Sequence, residues 1–141
     1  MKVAALINQL PGEVYRPETS PVLQQAAVEA FFADVRAMIE FLGIRPAKSG
    51  DFSAVDLVPG WTRSTDAARD ARLNRYWLIA SRHLMHFSKK RTRSDEGPAE
   101  NIPVEREDLE KIADGVLDLW DEYATAANDG LCPARKDLLR F

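Results

Sequence analysis

Apolar residues recur every three or four positions along four stretches of the chain, which is the spacing of one face of an α-helix. These stretches predict helices over residues 2–10, 21–42, about 65–93 and about 103–128. No stretch of any length alternates apolar and polar positions as a half-buried strand does. The pattern therefore predicts an all-α fold, a roughly four-helix bundle that forms a single domain over residues 1–141.

Turn-forming and capping residues predict the ends of the first two helices. Pro11 and Gly12 are expected to end the first helix, since both disfavour its continuation. Ser20 suits the N-cap of the second helix, and Pro21 suits its first position, where a missing N–H costs nothing. Gly43 is expected just beyond the end of this helix, where a glycine is preferred.

Residues 44–64 contain two prolines and two glycines, which favour a loop between the second and third helices. The segment also carries apolar residues that a solvated loop does not need: Phe52, Val55, Leu57 and Trp61. We therefore expect a long packed loop with one helical turn around 52–57, followed by a helix cap at Ser64 or Thr65. Trp61 either packs this loop on the bundle or stands at the surface for a partner.

Each of the last two predicted helices has one apolar face that is expected to join the core. In the third helix this face consists of Leu73, Trp77, Ala80, Leu84 and Phe87. In the fourth helix it consists of Leu109, Ile112, Val116, Leu119, Trp120 and Tyr123. A last short helix is expected from Pro133 onwards.

Composition restricts the classes of protein to which the chain can belong. Apolar residues make up 45% and charged residues 29% of the chain, as in soluble globular proteins. The net charge of −3 gives no overall basic excess for nucleic-acid binding. Cys132 is the single cysteine, which excludes an intrachain disulfide and fits a reducing cytosol. No apolar run approaches the length of a membrane span, so we expect a soluble, cytoplasmic protein.

The last two predicted helices carry opposite charge. Residues 65–93 hold eight Lys or Arg against two Asp, whereas residues 104–129 hold nine acidic residues against two basic ones. One side of the third helix, the basic stripe, consists of Arg72, Arg75, Arg82, His86, Lys89 and Arg93. One side of the fourth helix, the acidic stripe, consists of Glu107, Glu110, Asp114, Asp118 and Asp121. One interpretation is that the two stripes pair along a partly exposed seam.

In a second interpretation the basic stripe is exposed and holds the phosphates of a nucleic acid, with an affinity that falls as salt rises. The residues expected to make these contacts are Arg72, Lys89, Lys90, Arg91 and Arg93. Because the whole molecule is slightly acidic, such binding depends on the local excess of positive charge in the third helix.

Two histidines, His83 and His86, lie three residues apart in the third helix, close to Arg82 and Arg75. A histidine can act as a general acid or base near neutral pH, and an arginine one turn away can hold a phosphate. Arg82 with His86, supported by Arg75 with His83, is therefore a candidate catalytic site for metal-independent RNA cleavage. Alternatively the histidines are simply solvated, or His83 packs on the core. With no further histidine and one distant cysteine, we predict neither a metal site nor a cofactor.

The segment RHLMHF, which starts at Arg82, and the wider RYWLIASRH, which ends at His83, resemble the HEPN superfamily of bacterial and archaeal helical bundles. The resemblance spans residues 28–93 and implies a HEPN-like fold, a homodimer and a role in toxin–antitoxin or phage-defence systems. Active members are metal-independent RNases whose arginine and histidine motifs from two subunits face one cleft. Three residues separate Arg82 from His86 and seven separate Arg75 from His83, whereas the motif of that family has four to six intervening residues.

Three functions are compatible with these features. The first is a protein-interaction or regulatory module that works as a homodimer or with another protein. The second is a metal-independent endoribonuclease, and the third is a non-catalytic nucleic-acid binder that uses the basic third helix. We take the interaction module as the principal hypothesis.

Overall fold

The structure is a computed structural model that describes residues 2–90 and 106–127, with side chains for 2–84 and 107–127. The described part contains five α-helices: α1 (Lys2–Val14), α2 (Pro21–Phe41), α3 (Ala54–Leu57), α4 (Ala67–Lys90) and α5 (Arg106–Ala127). It contains no strand, which confirms the all-α prediction. Four helices are long, and α3 is the single turn expected in the loop between the second and third predicted helices.

The first helix continues past the residues that were expected to end it. α1 runs through Pro11 and Gly12 to Val14, so the predicted end at residue 10 was wrong. Pro11 and Val14 are buried on the same side of the helix as Ile7, and this side faces the core. Burying two more apolar side chains offsets the one backbone hydrogen bond that a proline cannot donate.

Both ends of α2 match the sequence prediction. The Ser20 hydroxyl accepts the backbone N–H of Leu23 at 3.4 Å, with Pro21 as the first helical residue. At the other end Gly43 adopts φ +79°, and its N–H donates to the carbonyl of Glu40 at 3.1 Å. The next N–H, of Ile44, donates to the carbonyl of residue 39 at 3.2 Å, which completes a Schellman motif.

The loop after α2 packs less of its apolar surface than we expected. Phe52, Val55 and Leu57 are exposed, whereas Ala54 and Trp61 are buried. A single helical turn has one side to offer the core, and α3 turns Ala54 toward it. Trp61 lies edge-to-face on Tyr123 of α5, with ring centroids 5.4 Å apart, so this tryptophan packs the loop on the bundle.

The cap of α4 is Asp66 rather than Ser64 or Thr65. Its carboxylate accepts the N–H of Arg69 at 2.9 Å, and its carbonyl accepts the N–H of Asp70 at 3.0 Å. A carboxylate at this position also interacts favourably with the positive end of the helix dipole. The Ser64 side chain is therefore left for a different set of contacts, described below.

α5 is the most buried helix because it packs against α1, α2 and α4. All six of its predicted core residues are buried: Leu109, Ile112, Val116, Leu119, Trp120 and Tyr123. α1 also packs on α2, and α2 on α4, which closes the bundle. Among the described helices, none combines the length and apolar composition needed to cross a bilayer.

A glycine in the middle of α5 sets how closely α4 approaches. A Cβ atom at Gly115 would lie 3.1 Å from Cε2 of Tyr76, so the Tyr76 ring occupies the space that a side chain would need. Arg69 near the start of α4 contacts Glu122 near the end of α5, whereas Tyr76 lies farther along α4 and Gly115 earlier in α5. The two helices are therefore antiparallel neighbours.

Some predictions fall outside the described residues. These are the start of the fourth helix near Pro103, its end near 128–130, and the short helix from Pro133.

Candidate functional site: the charged faces of α4 and α5

The basic stripe faces outward wherever the structure describes it. Arg72, Arg75 and Arg82 are all exposed. Within the part of the chain that the structure describes, none of the three forms an ion pair with a carboxylate. The side chains of His86, Lys89 and Lys90, and the whole of Arg91 and Arg93, lie outside the described residues.

The acidic stripe also faces outward. Glu107, Glu110, Asp114 and Asp118 are exposed, and Asp121 is half-buried. Glu107 forms an ion pair with Lys111 at 2.9 Å, one turn along the same helix. The hydrogen bond and charge of this pair lower the pKa of Glu107 and raise that of Lys111. Because α4 and α5 are neighbours, the molecule carries a basic and an acidic face side by side.

One ion pair between α4 and α5 uses neither stripe. Arg69 is buried, and its NH1 donates to the Glu122 carboxylate at 3.2 Å. The interpretation in which the two stripes pair along the seam stays a prediction, because the side chains of His86 and Lys89 and the whole of Arg93 lie outside the described residues. Tyr76 makes the closest approach to Gly115, and Arg72 of the basic stripe borders the same contact, since a Cβ at Gly115 would lie 3.8 Å from its Nε.

Arg69 uses every N–H of its guanidinium. Nε and NH2 donate to Asp70 at 3.2 and 3.0 Å, and NH2 also donates to the carbonyl of Ser64 at 2.7 Å. NH1 donates to the Ser64 hydroxyl at 2.9 Å as well as to Glu122. The Ser64 hydroxyl and backbone N–H in turn both donate to the carboxylate of Glu122. This set of contacts fastens the segment before α4 to the end of α5, which is a structural role.

A groove of about 490 Å³ lies beside this set of contacts. Phe41 and Trp61 contribute aromatic surface to it, and Arg63 lies at its polar side. Arg63 donates to Asp70 at 3.1 Å and to the carbonyl of Gly43 at 3.2 Å. Arg63 is thereby held in place by the end of α2 and the start of α4.

The structure describes three of the four candidate catalytic side chains: Arg75, Arg82 and His83. The imidazole of His83 is half-buried and stacks on the buried Phe32, with ring centroids 4.4 Å apart and 10° between the planes. His83 thus packs on the core, one of the alternatives that the sequence left open. Arg75 lies eight residues earlier, which is about 12 Å along a helix axis. Arg82 is exposed, and the side chain of His86 lies outside the described residues.

One cluster of charged and aromatic side chains was not predicted from the sequence. Trp77 was assigned to the core, but it is half-buried, and its indole N–H donates to Glu40 of α2 at 2.9 Å. The guanidinium carbons of Arg36 and Arg45 lie 5.0 and 4.5 Å from the centroid of its ring. The pairing of Arg36 with Glu40, four residues apart in α2, was the sequence signal that could have indicated a polar edge here.

Comparison of the chain with protein-family models, curated proteins and solved structures finds no match in any of the three. The class of the molecule, an all-α helical bundle, therefore rests on its own fold.

Proposed function

We propose that this protein is a non-catalytic interaction module that recognises a second copy of itself through the basic stripe of α4 and the acidic stripe of α5. The observation that carries the proposal is the exposure of two opposite charge stripes on neighbouring, antiparallel helices. Self-assembly of this kind agrees with the homodimer and the regulatory role in toxin–antitoxin or phage-defence systems that the HEPN-like resemblance implies.

The arrangement of the stripes selects one dimer geometry. Consider a twofold axis that lies on the outer face of α4 and α5, parallel to both helices and above the boundary between the two stripes. This axis places the basic stripe of each protomer over the acidic stripe of its partner. An axis perpendicular to the two helices would instead place like charges together, which costs several kcal/mol. A closed twofold dimer therefore brings both stripes of each protomer into one interface.

A nucleic acid is a poorer partner for the same surface. Its phosphates would be attracted by Arg72, Arg75 and Arg82, but the adjacent acidic stripe would repel them. A second copy of the chain offers both signs of charge in the required order, and this favours a protein partner.

Exchange of the charges between two variants tests the proposal. One variant carries Arg75→Glu and Arg82→Glu, and the other carries Asp114→Lys and Asp118→Lys. Each variant alone presents like charges across the proposed interface, so we expect each to be monomeric. An equimolar mixture restores opposite charges on both sides and should form a one-to-one heterodimer, detected by sedimentation velocity and native mass spectrometry.

The matched control is Lys48→Glu, which reverses an exposed charge outside both stripes and should leave the dimer unchanged. A wild-type protein that stays monomeric at every concentration tested would contradict the proposal. So would a mixture of the two variants that does not associate.

A further inference from the structure

Two arginines converge on one tryptophan at the junction of α2, α4 and the loop after α2. The guanidinium of Arg36 comes from α2 and that of Arg45 from the loop, and both lie within 5.0 Å of the centroid of the Trp77 ring. The indole N–H and the Nε of Arg36 both donate to Glu40, at 2.9 and 3.1 Å. The Nε of Arg45 donates to the side-chain oxygen of Asn74.

The cluster holds one more positive charge than negative charge. Glu40 neutralises Arg36, but Arg45 forms an ion pair with no carboxylate among the described residues, and Asn74 is neutral. The side chains of Arg36 and Glu40 are only 25% and 14% exposed, so water screens their charges less than it does at a fully exposed pair. Bringing two cations to one ring costs free energy unless an anion completes the cluster.

The terminal nitrogens of Arg36 and Arg45 have the right form to bind an oxyanion. Each guanidinium is held at its Nε, and within the described residues neither Arg36 nor Arg45 uses its terminal nitrogens in a hydrogen bond. The two terminal NH₂ groups of each arginine form one fork, and both forks belong to guanidiniums that lie on the Trp77 ring. The ring of Trp77 and the two Nε contacts fix both side chains, so little rotamer freedom remains to be lost on binding.

We propose that Arg36, Arg45 and Trp77 form a binding site for a phosphate group. A carboxylate has two oxygens and is satisfied by one fork, whereas a phosphate has enough oxygens and charge to accept hydrogen bonds from both. The net positive charge of the cluster complements the charge of the phosphate. The site uses none of the residues of the basic or acidic stripe, so it is independent of the proposed dimer.

Titration with inorganic phosphate, followed through the indole N–H signals of the three tryptophans, tests the site. Trp77→Phe assigns the Trp77 signal, and sodium chloride at matched ionic strength serves as the reference titration. We expect a saturable shift of the Trp77 signal, with the signals of the buried Trp61 and Trp120 unchanged. Tighter binding of O-phosphoserine than of inorganic phosphate would identify an esterified ligand, and the reverse order would identify free phosphate.

Arg45→Gln and Arg36→Gln should each weaken the binding of phosphate at least tenfold. The matched control is Arg16→Gln, which removes an exposed arginine that lies over no described ring and should bind as the wild type does. Unchanged Trp61 and Trp120 signals in each variant show that the fold is intact. An equal response to chloride, no saturable shift in the wild type, or unaltered binding in Arg45→Gln would overturn the proposal.

Discussion

Arg69 is the charged residue on which the junction of α4 and α5 depends. Its side chain is 9% exposed and is surrounded by Asp70, Glu122 and Ser64, all of which accept its hydrogen bonds. Arg69→Ala would leave two carboxylates without their cation, and we expect a loss of about 3 kcal/mol in the free energy of unfolding. Urea denaturation measures this loss.

Arg72 provides the control for that prediction, because it lies on the same helix but is exposed and unpaired among the described residues. Arg72→Ala should change the free energy of unfolding by about 0.5 kcal/mol at most. Equal effects of the two substitutions would show that the contacts of Arg69 do not stabilise the fold.

Asp34 on α2 makes the stability depend on pH in an unusual direction. Burial raises the pKa of its carboxyl above the ordinary value of 3.8. The folded state therefore binds this proton more tightly than the unfolded state, and stability decreases as pH rises from 3.8 through the folded-state pKa. Asp34→Asn should stabilise the protein at pH 7 and have no such effect well below pH 3.8. Thermal unfolding across this range measures the difference, and an equal effect at both ends would contradict it.

Residue types alone do not separate a core tryptophan from one at a polar edge. Trp120 and Trp77 both occupy apolar positions of a helical pattern, yet Trp120 is fully buried and Trp77 is half-buried. α5 is covered by three helices, whereas among the described residues Trp77 of α4 contacts α2 and the loop that brings Arg45. That difference arises from tertiary packing, which the pattern of one helix does not contain.

At the scale of the helices, Gly115 is the position where one side chain decides how two elements pack. Gly115→Leu would drive a side chain into Tyr76 and push α4 away from α5, and we expect a loss of about 2 kcal/mol in stability.

Gly12 in α1 is the contrasting case, since a Cβ there meets nothing within 4 Å. Gly12→Ala should stabilise the protein by about 0.5 kcal/mol through helix propensity alone. Chemical denaturation of both variants measures the contrast, and a destabilising Gly12→Ala would contradict it.

The sequence predicts an element best where local chemistry decides its ends. The caps at Ser20 and Gly43 depend on residues within one turn, and both predictions are confirmed. The end of α1 is decided by the burial of Pro11 and Val14 against other helices, and that prediction was wrong. The same applies to the seam between α4 and α5, since its pattern of charge did not reveal that Arg69 and Glu122 would make the contact.

At the scale of the whole molecule, the charge distribution and the place of His83 both bear on the RNase hypothesis. His83 is engaged with Phe32, and the exposed Arg75 and Arg82 lie beside an acidic face that repels RNA. We therefore expect no cleavage of labelled RNA by the purified protein in EDTA at neutral pH. The comparison is with the double variant Arg82→Ala/His86→Ala, because contaminating nuclease would act equally in both preparations. Cleavage by the wild type that disappears in the variant would establish catalysis by this part of α4 and would replace the interaction module as the function of the basic stripe.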